Sequence, residues 1–271
     1  MTASSRTARR LASAFDERIG QLAGRLDTFG QVATVENVHD LRTALRRYQA
    51  TERLLPKKLR NSHVHRDFMR TSKEVFRSTT PVRDLDVIAR RLEGATDPGV
   101  VALASSLKQG RIALVRTARA AAKSLLGREP PSVHRSDLSE KRCRRRGGKV
   151  EAGLKALARK ELEETLASER NQAAHHRLRK TCKELRYTLE VTNPDGGAGE
   201  IDRLERFQEL LGAIHDLDIS DAFFRGRRLP GIATLLAENA KKRHRLYVAF
   251  CDFARAGGIY PSEERRETQD A

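Results

Sequence analysis

Val35-Glu36-Asn37-Val38-His39-Asp40-Leu41-Arg42-Thr43-Ala44-Leu45-Arg46-Arg47-Tyr48 carries two stripes when it is read at helical pitch. Val38, Leu41, Leu45 and Tyr48, continued by Leu55, recur at the steps of one helix face and make an apolar seam. His39, Arg42, Arg46 and Arg53 keep similar steps, offset by one residue. At about 100° per residue, that offset lays a basic ridge along the edge of the buried face. A row of arginines beside a seam sits at the mouth of whatever groove the seam helps to form.

The arrangement returns in Ala174-His175-His176-Arg177-Leu178-Arg179-Lys180-Thr181-Cys182-Lys183-Glu184-Leu185-Arg186-Tyr187. Leu178, Cys182, Leu185 and Leu189 form its seam, and His176, Arg179, Lys183 and Arg186 its ridge. His176 lies 137 residues after His39. A second pair matches as well: Val82-Arg83-Asp84-Leu85-Asp86-Val87 is echoed by Ile214-His215-Asp216-Leu217-Asp218-Ile219, with His215 132 residues after Arg83. Two motifs in the same order at nearly the same offset mark an internal duplication.

At these residues the chain resembles the CHAD family, the conserved histidine α-helical domains. The likeness rests on H-x-L-R with basic residues at helical spacing, then R/H-D-L-D about forty residues on, both occurring twice, and it runs from about Ser4 to about Ala256. The resemblance implies inorganic polyphosphate as partner, bound through a basic surface, and for some members a place on polyphosphate granules. It also implies paired bundles about a pseudo-twofold axis, with the His39 and His176 ridges facing a shared cradle. CHAD domains often accompany a triphosphate tunnel metalloenzyme domain marked by E-x-E-x-K. That motif does not occur here, so a stand-alone member is expected.

The totals agree with a polyanion partner. The 271 residues include 53 Lys and Arg against 36 Asp and Glu, a formal net charge of +17. Hydrophobic content of 38% suffices for a core, and the absence of tryptophan points to narrow contacts built from Leu and Ala. Cys143, Cys182 and Cys251 are widely spaced, which argues against a disulfide framework and for a reducing, cytoplasmic setting. The early residues Leu11, Phe15, Ile19, Leu22 and Leu26 form an amphipathic pattern, not the apolar stretch of a leader or a membrane span.

No segment alternates with period two, so the expected fold is all-α: two four-helix bundles from the internal duplication. The first half is expected over residues 1–130, the second over 131–258 and a flexible tail over 259–271. Gly127 to Ser136, which contains Pro130-Pro131, is the linker. Thr34 or Asn37 caps the helix bearing His39, which stops at Pro56. Pro81 either interrupts the third helix or begins a new one capped by Thr80. The run Lys141-Arg142-Cys143-Arg144-Arg145-Arg146 reads as a basic arm, solvated or in contact with a polyanion, with the next helix starting after Gly147-Gly148. Asn193-Pro194-Asp195-Gly196-Gly197 reads as a turn.

The proposed contacts follow from chemistry. Arginine offers a planar fork to phosphate oxygens, lysine a mobile charge, histidine a donor that gains charge as pH falls. His39, Arg42, Arg46, His176, Arg179, Lys183 and Arg186 form the expected binding set, joined by Arg47, Arg53, Lys180, Arg83 and His215. Asp84, Asp86, Asp216 and Asp218 are expected to orient those cations, because carboxylates two apart do not share a helical face. No catalytic residue, cofactor or metal site is expected: there is no Gly-rich phosphate loop, no G-x-S-x-G and no H-x-x-x-H. The competing readings are non-specific nucleic-acid binding, against which the aromatic content of 5% counts, and a histidine-based metal-binding domain.

Overall fold

The seam periodicities become helices in the computed structural model, which describes residues 6–193, 198–227 and 230–257. Among these residues there are no strands. In chain order the helices are α1 (Arg6–Gln31), α2 (Val35–Leu54), the short α3 (Lys57–Arg60), α4 (His63–Arg91), α5 (Pro98–Leu126), α6 (Glu140–Leu166), α7 (Gln172–Thr192), α8 (Ala198–Phe224) and α9 (Pro230–Gly257). A single 3₁₀ turn, Arg135–Asp137, interrupts the stretch between α5 and α6.

The starts are set by side-chain caps. Thr34 accepts from the Asn37 N–H at 3.1 Å, Ser62 from the His65 N–H and Asp97 from the Val100 N–H. Asn171 accepts from the Ala174 N–H and so caps α7. The Glu140 carboxylate performs the same service for α1 from a distance in sequence, accepting from the Thr7 and Ala8 N–H groups. A carboxylate is favourable there because the helix N-terminus carries partial positive charge. Burial works against the Glu140 charge, but the donors of Ala8 and Thr7 and the Arg135 charge outweigh it and hold the group below the usual glutamate range. Its stabilising effect is therefore complete above the ordinary glutamate value and is lost as pH falls through the depressed one. Thermal melts down to acidic pH should show a steeper acid limb for the wild type than for Glu140→Gln; parallel limbs would remove the cap from the account.

The described chain divides into two compact units. One ends at Glu151 and takes in Arg227–Ile232; the other comprises Ala152–Gly226 and resumes at Ala233. In the first unit α1 packs on α2 and α5, and α4 on α2 and α5. Its core includes Phe15, Leu22, Leu26, Leu41, Leu45 and Tyr48, all essentially inaccessible. Phe15, Tyr48, His65 and Phe68 stack with ring centroids 5.4–5.9 Å apart. Each such aliphatic or aromatic group contributes on the order of 1.5–3 kcal/mol by burial. In the second unit α7 packs on α8. Phe207 stacks on Phe250 and Phe253 of α9. The Tyr247 hydroxyl donates to the Thr165 and Leu166 carbonyls that end α6.

Three expectations change here. Pro81 neither breaks nor starts a helix, because α4 runs through it from His63 to Arg91; Asp84 and Asp86 therefore lie in a helix interior. The basic run is no arm. It forms the first turns of α6, which continues through Gly147-Gly148 because Cys143, Gly147, Leu154 and Ala158 keep one buried stripe at helical spacing. The units divide within α6, after Glu151, and not at Pro130-Pro131. The tail over 259–271 and residues 194–197 of the expected turn lie outside the described residues.

Candidate anion-binding faces

In the first unit α2 and α4 run in opposite directions: the start of α2 meets the end of α4, and Tyr48 meets Phe68. At the start of α2, Val35, Glu36, His39 and Asp40 line an open cleft of about 200 Å³ with Arg83 and Arg90 of α4. The His39 side chain is 65% exposed, with Nδ1 3.5 Å from Asp40 Oδ1. Asp40 is also paired with Arg25 at 3.1 Å. The first histidine of the repeat and the arginine that opens R-D-L-D thus share one concavity. Arg90 had not been singled out, although it follows Arg83 by seven residues, two helical turns on the same face.

Arg42 does not belong to that open surface. It is only 9% exposed. Its Nη1 donates to the Phe76 carbonyl at 3.0 Å and to the hydroxyl oxygens of Thr79 and Thr80 at 3.1 and 3.0 Å. Its guanidinium carbon lies 4.2 Å from the Phe76 ring centroid, and that of Arg46 lies 4.8 Å away. The cause is Pro81. A proline inside a helix withholds the N–H that its fourth preceding residue would use, and it disturbs that turn. Ser78, Thr79 and Thr80 donate their hydroxyls back to the Val75 and Phe76 carbonyls, and Arg42 fastens the group to α2. Arg46 and Arg47 are half-buried. Arg53 is exposed at the far end of α2, roughly 21 Å from His39 at 1.5 Å per residue.

In the second unit the equivalent helices are α7 and α8. The rings of His176 and His215 lie 4.8 Å apart, tilted by 41°. This pair repeats the meeting of His39 with Arg83, with histidine in place of the arginine. Lys180 is exposed; Arg179 and Lys183 are half-buried. Where Arg42 finds Thr79 and Thr80, the 132-residue offset places Leu211 and Gly212 beside α7, and Gly212 stands next to the Arg179 Nε. Leu211 and Gly212 carry no hydroxyl at that point. Arg186 is engaged with Glu205 and Glu190, and its guanidinium carbon lies 5.0 Å from the Tyr187 ring. The adjacent His175 is buried, against Tyr247 and Arg243. Burial, followed by the Arg243 charge, pushes its pKa down.

The second aspartate of each D-L-D motif does something other than orient the ridge. Asp86 is buried and accepts from Arg111 Nε and Nη2 of α5, at 2.5 and 3.3 Å. Asp218 accepts from Arg243 Nε of α9 at 2.7 Å and from Gln172 Nε2 at 3.1 Å. Arg111 and Arg243 are themselves 132 residues apart. The repeat therefore includes an aspartate–arginine tie from each motif helix to the helix after it, and neither aspartate pairs with a ridge cation in these contacts. Asp84 and Asp216 are half-buried. Among the described residues no group of three or more His, Cys, Asp and Glu side chains comes together as metal ligands would.

The sequence matches the family model described as the CHAD domain over residues 13–225. The structure is similar to a crystal structure of the CHAD domain from the plant Ricinus communis, with a TM-score of 0.58 and 16% identity over 92% of this chain and 87% of that one. At that identity the likeness speaks for a shared fold. None of the curated proteins matches the sequence.

Proposed function

The chain belongs to the CHAD domain family, and from that membership and its two basic faces we propose that it binds inorganic polyphosphate. One observation carries the reading. In each unit the residue that leads the first motif meets the residue that leads the second: His39 with Arg83 in one cleft, His176 against His215 at 4.8 Å. Arg90, Arg46, Arg179, Lys180 and Lys183 extend these faces, and Arg46 stacked on Phe76 is a pre-oriented phosphate fork. A repeating anion suits a repeated face, and the net charge of +17 favours its approach. The proposed setting is cytoplasmic, at polyphosphate granules; no helix among the described residues is long and apolar enough to cross a membrane.

Titration with polyphosphates of graded length, at two salt concentrations and against single-stranded RNA of equal charge, tests the reading. Long chains should bind well and orthophosphate poorly. If about six phosphates are contacted, the log–log salt slope should be about −4 by analogy with single strands. A slope near zero, or stronger binding of RNA than of polyphosphate, overturns the proposal in favour of another ligand.

Binding without turnover completes the proposal. A phosphate-release assay with and without added magnesium or manganese should give no signal above the protein-free control. Release that disappears with Asp84→Ala or Asp216→Ala would instead make the faces catalytic.

A further inference from the structure

One guanidinium in the second unit holds three elements at once. Arg243 of α9 gives its Nε–H to Asp218 of α8 at 2.7 Å. Its Nη1 donates to Glu169, in the turn between α6 and α7, at 3.3 Å. Its Nη2 lies 3.4 Å from Nδ1 of His175, in the opening turns of α7. Two further contacts hold the same region: His244 Nδ1 lies 2.9 Å from the other Glu169 oxygen, and Gln172 Nε2 donates to Asp218 at 3.1 Å. His175 is 2% exposed, and the Arg243 side chain 11%.

The third contact of Arg243 fixes the state of the histidine. A guanidinium has N–H donors and no acceptor. Nδ1 of His175 therefore accepts, and the ring is neutral with its proton on Nε2. A second proton has only Nδ1 to go to. There it sets donor against donor and positive charge against positive charge, in a site with little water. The N-terminus of α7 adds to the penalty, because its partial charge is positive too. The groups that face His175 are divided. Burial and the Arg243 charge oppose protonation, whereas Asp218, the Ser168 backbone and Glu169 favour it, and the first two prevail. Tyr247 presents its ring, 5.5 Å away, and donates its hydroxyl to the Thr165 and Leu166 carbonyls.

The first unit is built differently at this point. There Arg111 places both Nε and Nη2 on Asp86. The 137-residue offset that pairs His176 with His39 puts Val38, which takes up no proton, where His175 stands. The repeat keeps the aspartate–arginine tie in both units and adds a titratable third partner in the second.

We propose that His175, Arg243 and Glu169 form an acid-opened latch on the start of α7: a proton on His175 drives Arg243 off the ring and releases the α6–α7 turn and the first turns of α7 from α9. His176, the next residue, leads the second anion-binding face, so the latch sets where that face begins. The latch does not depend on polyphosphate binding, and no ligand is needed to observe it. A ring that is neutral in the closed state and ordinary in the open one keeps the latch closed above about pH 6.5. The latch weakens as pH falls from there. At pH 5.5 one such proton shifts the opening equilibrium by up to about tenfold.

The test is hydrogen exchange of the whole chain at pH 7.5 and 5.5, with each rate divided by the intrinsic rate at that pH. Protection over residues 168–178 should fall by up to about tenfold on acidification, and residues 34–41, at the equivalent start of α2, should change far less. His175→Asn, whose amide oxygen can stand in for Nδ1, and His175→Phe, which keeps a ring beside Tyr247, take up no proton there. Each should show the same protection over 168–178 at both pH values. Nitrogen-15 spectra of the wild-type histidines give a reading that does not depend on how well the variants fold, and should show His175 neutral and protonated on Nε2 at pH 7.5. Unchanged protection over 168–178, an equal loss over 34–41, or an acid loss that persists in both variants overturns the latch. So does a His175 that is charged, or protonated on Nδ1, at pH 7.5.

Discussion

Arg42→Ala should lower the melting temperature sharply, and Arg179→Ala at the repeated position should lower it less. Arg42 is buried and ties the Phe76 carbonyl and the Thr79 and Thr80 hydroxyls to α2. Hydrogen bonds from a charged donor are worth about 1.5–3 kcal/mol, and buried acceptors left unsatisfied add a penalty of similar size. A loss of about 3 kcal/mol is expected, equivalent to roughly 6–12 °C for a chain of this size. Arg179 is half-buried beside Gly212, and the neighbouring Leu211 and Gly212 offer no hydroxyl. Its truncation should cost less than that of Arg42, yet weaken polyphosphate binding. Thermal melts followed by circular dichroism decide the matter. Equal shifts in the two variants would show that Arg42 has no special part in holding the proline turn. Arg42→Met should also destabilise, since it keeps the contact with Phe76 but not the donors.

Removing the second aspartate of a D-L-D motif should be comparably severe at the buried Asp86, milder at the half-buried Asp218, and should leave a different signature. Asp86→Ala strands Arg111 of its partner, whereas in Asp218→Ala the Arg243 side chain, only 11% exposed, keeps its second ion pair with Glu169 at 3.3 Å and loses less. Breaking a buried pair by deleting one partner typically costs about 3–5 kcal/mol, because the remaining charge stays desolvated. Replacing both members with apolar groups of similar volume should recover most of the loss. Asp86→Leu with Arg111→Met is the matching double variant, and a double-mutant cycle read by urea denaturation gives the coupling. If either aspartate served the ligand instead, its single variant would melt like wild type and bind polyphosphate less well.

These two results follow from contacts that the sequence displayed only in part. The seams of α2 and α7 were legible because burial of Leu41, Leu45, Leu178 and Leu185 at three- and four-residue steps is a local property of a helix. The repetition of both motifs in one order was legible too, but the meeting of His39 with Arg83, and of His176 with His215, depends on how α2 packs on α4 and α7 on α8. The inward turn of Arg42 could not. It depends on the Thr79-Thr80-Pro81 turn of another helix, and a residue at the edge of a seam can go either way. Pro81 and Gly147-Gly148 looked like breaks because both residue types weaken helices by propensity. Packing overrode that preference, with Gly147 itself buried in the stripe of α6. The ties from Asp86 to Arg111 and from Asp218 to Arg243 join helices far apart in sequence. Their shared 132-residue spacing was the available signal, and it becomes meaningful once the partners are seen.

The division of the chain inside α6 bears on how such proteins can exchange parts. The first unit needs the opening turns of α6 and the later segment Arg227–Ile232 as well as everything up to the linker. A recombination event at Pro130-Pro131 between two relatives would give a hybrid whose first unit draws its Glu140 cap, its Cys143 and its Arg146 from the wrong parent. A clean exchange of one unit requires crossovers after Glu151, Gly226 and Ile232 together. Units interleaved along the chain in this way cannot readily be shuffled as two.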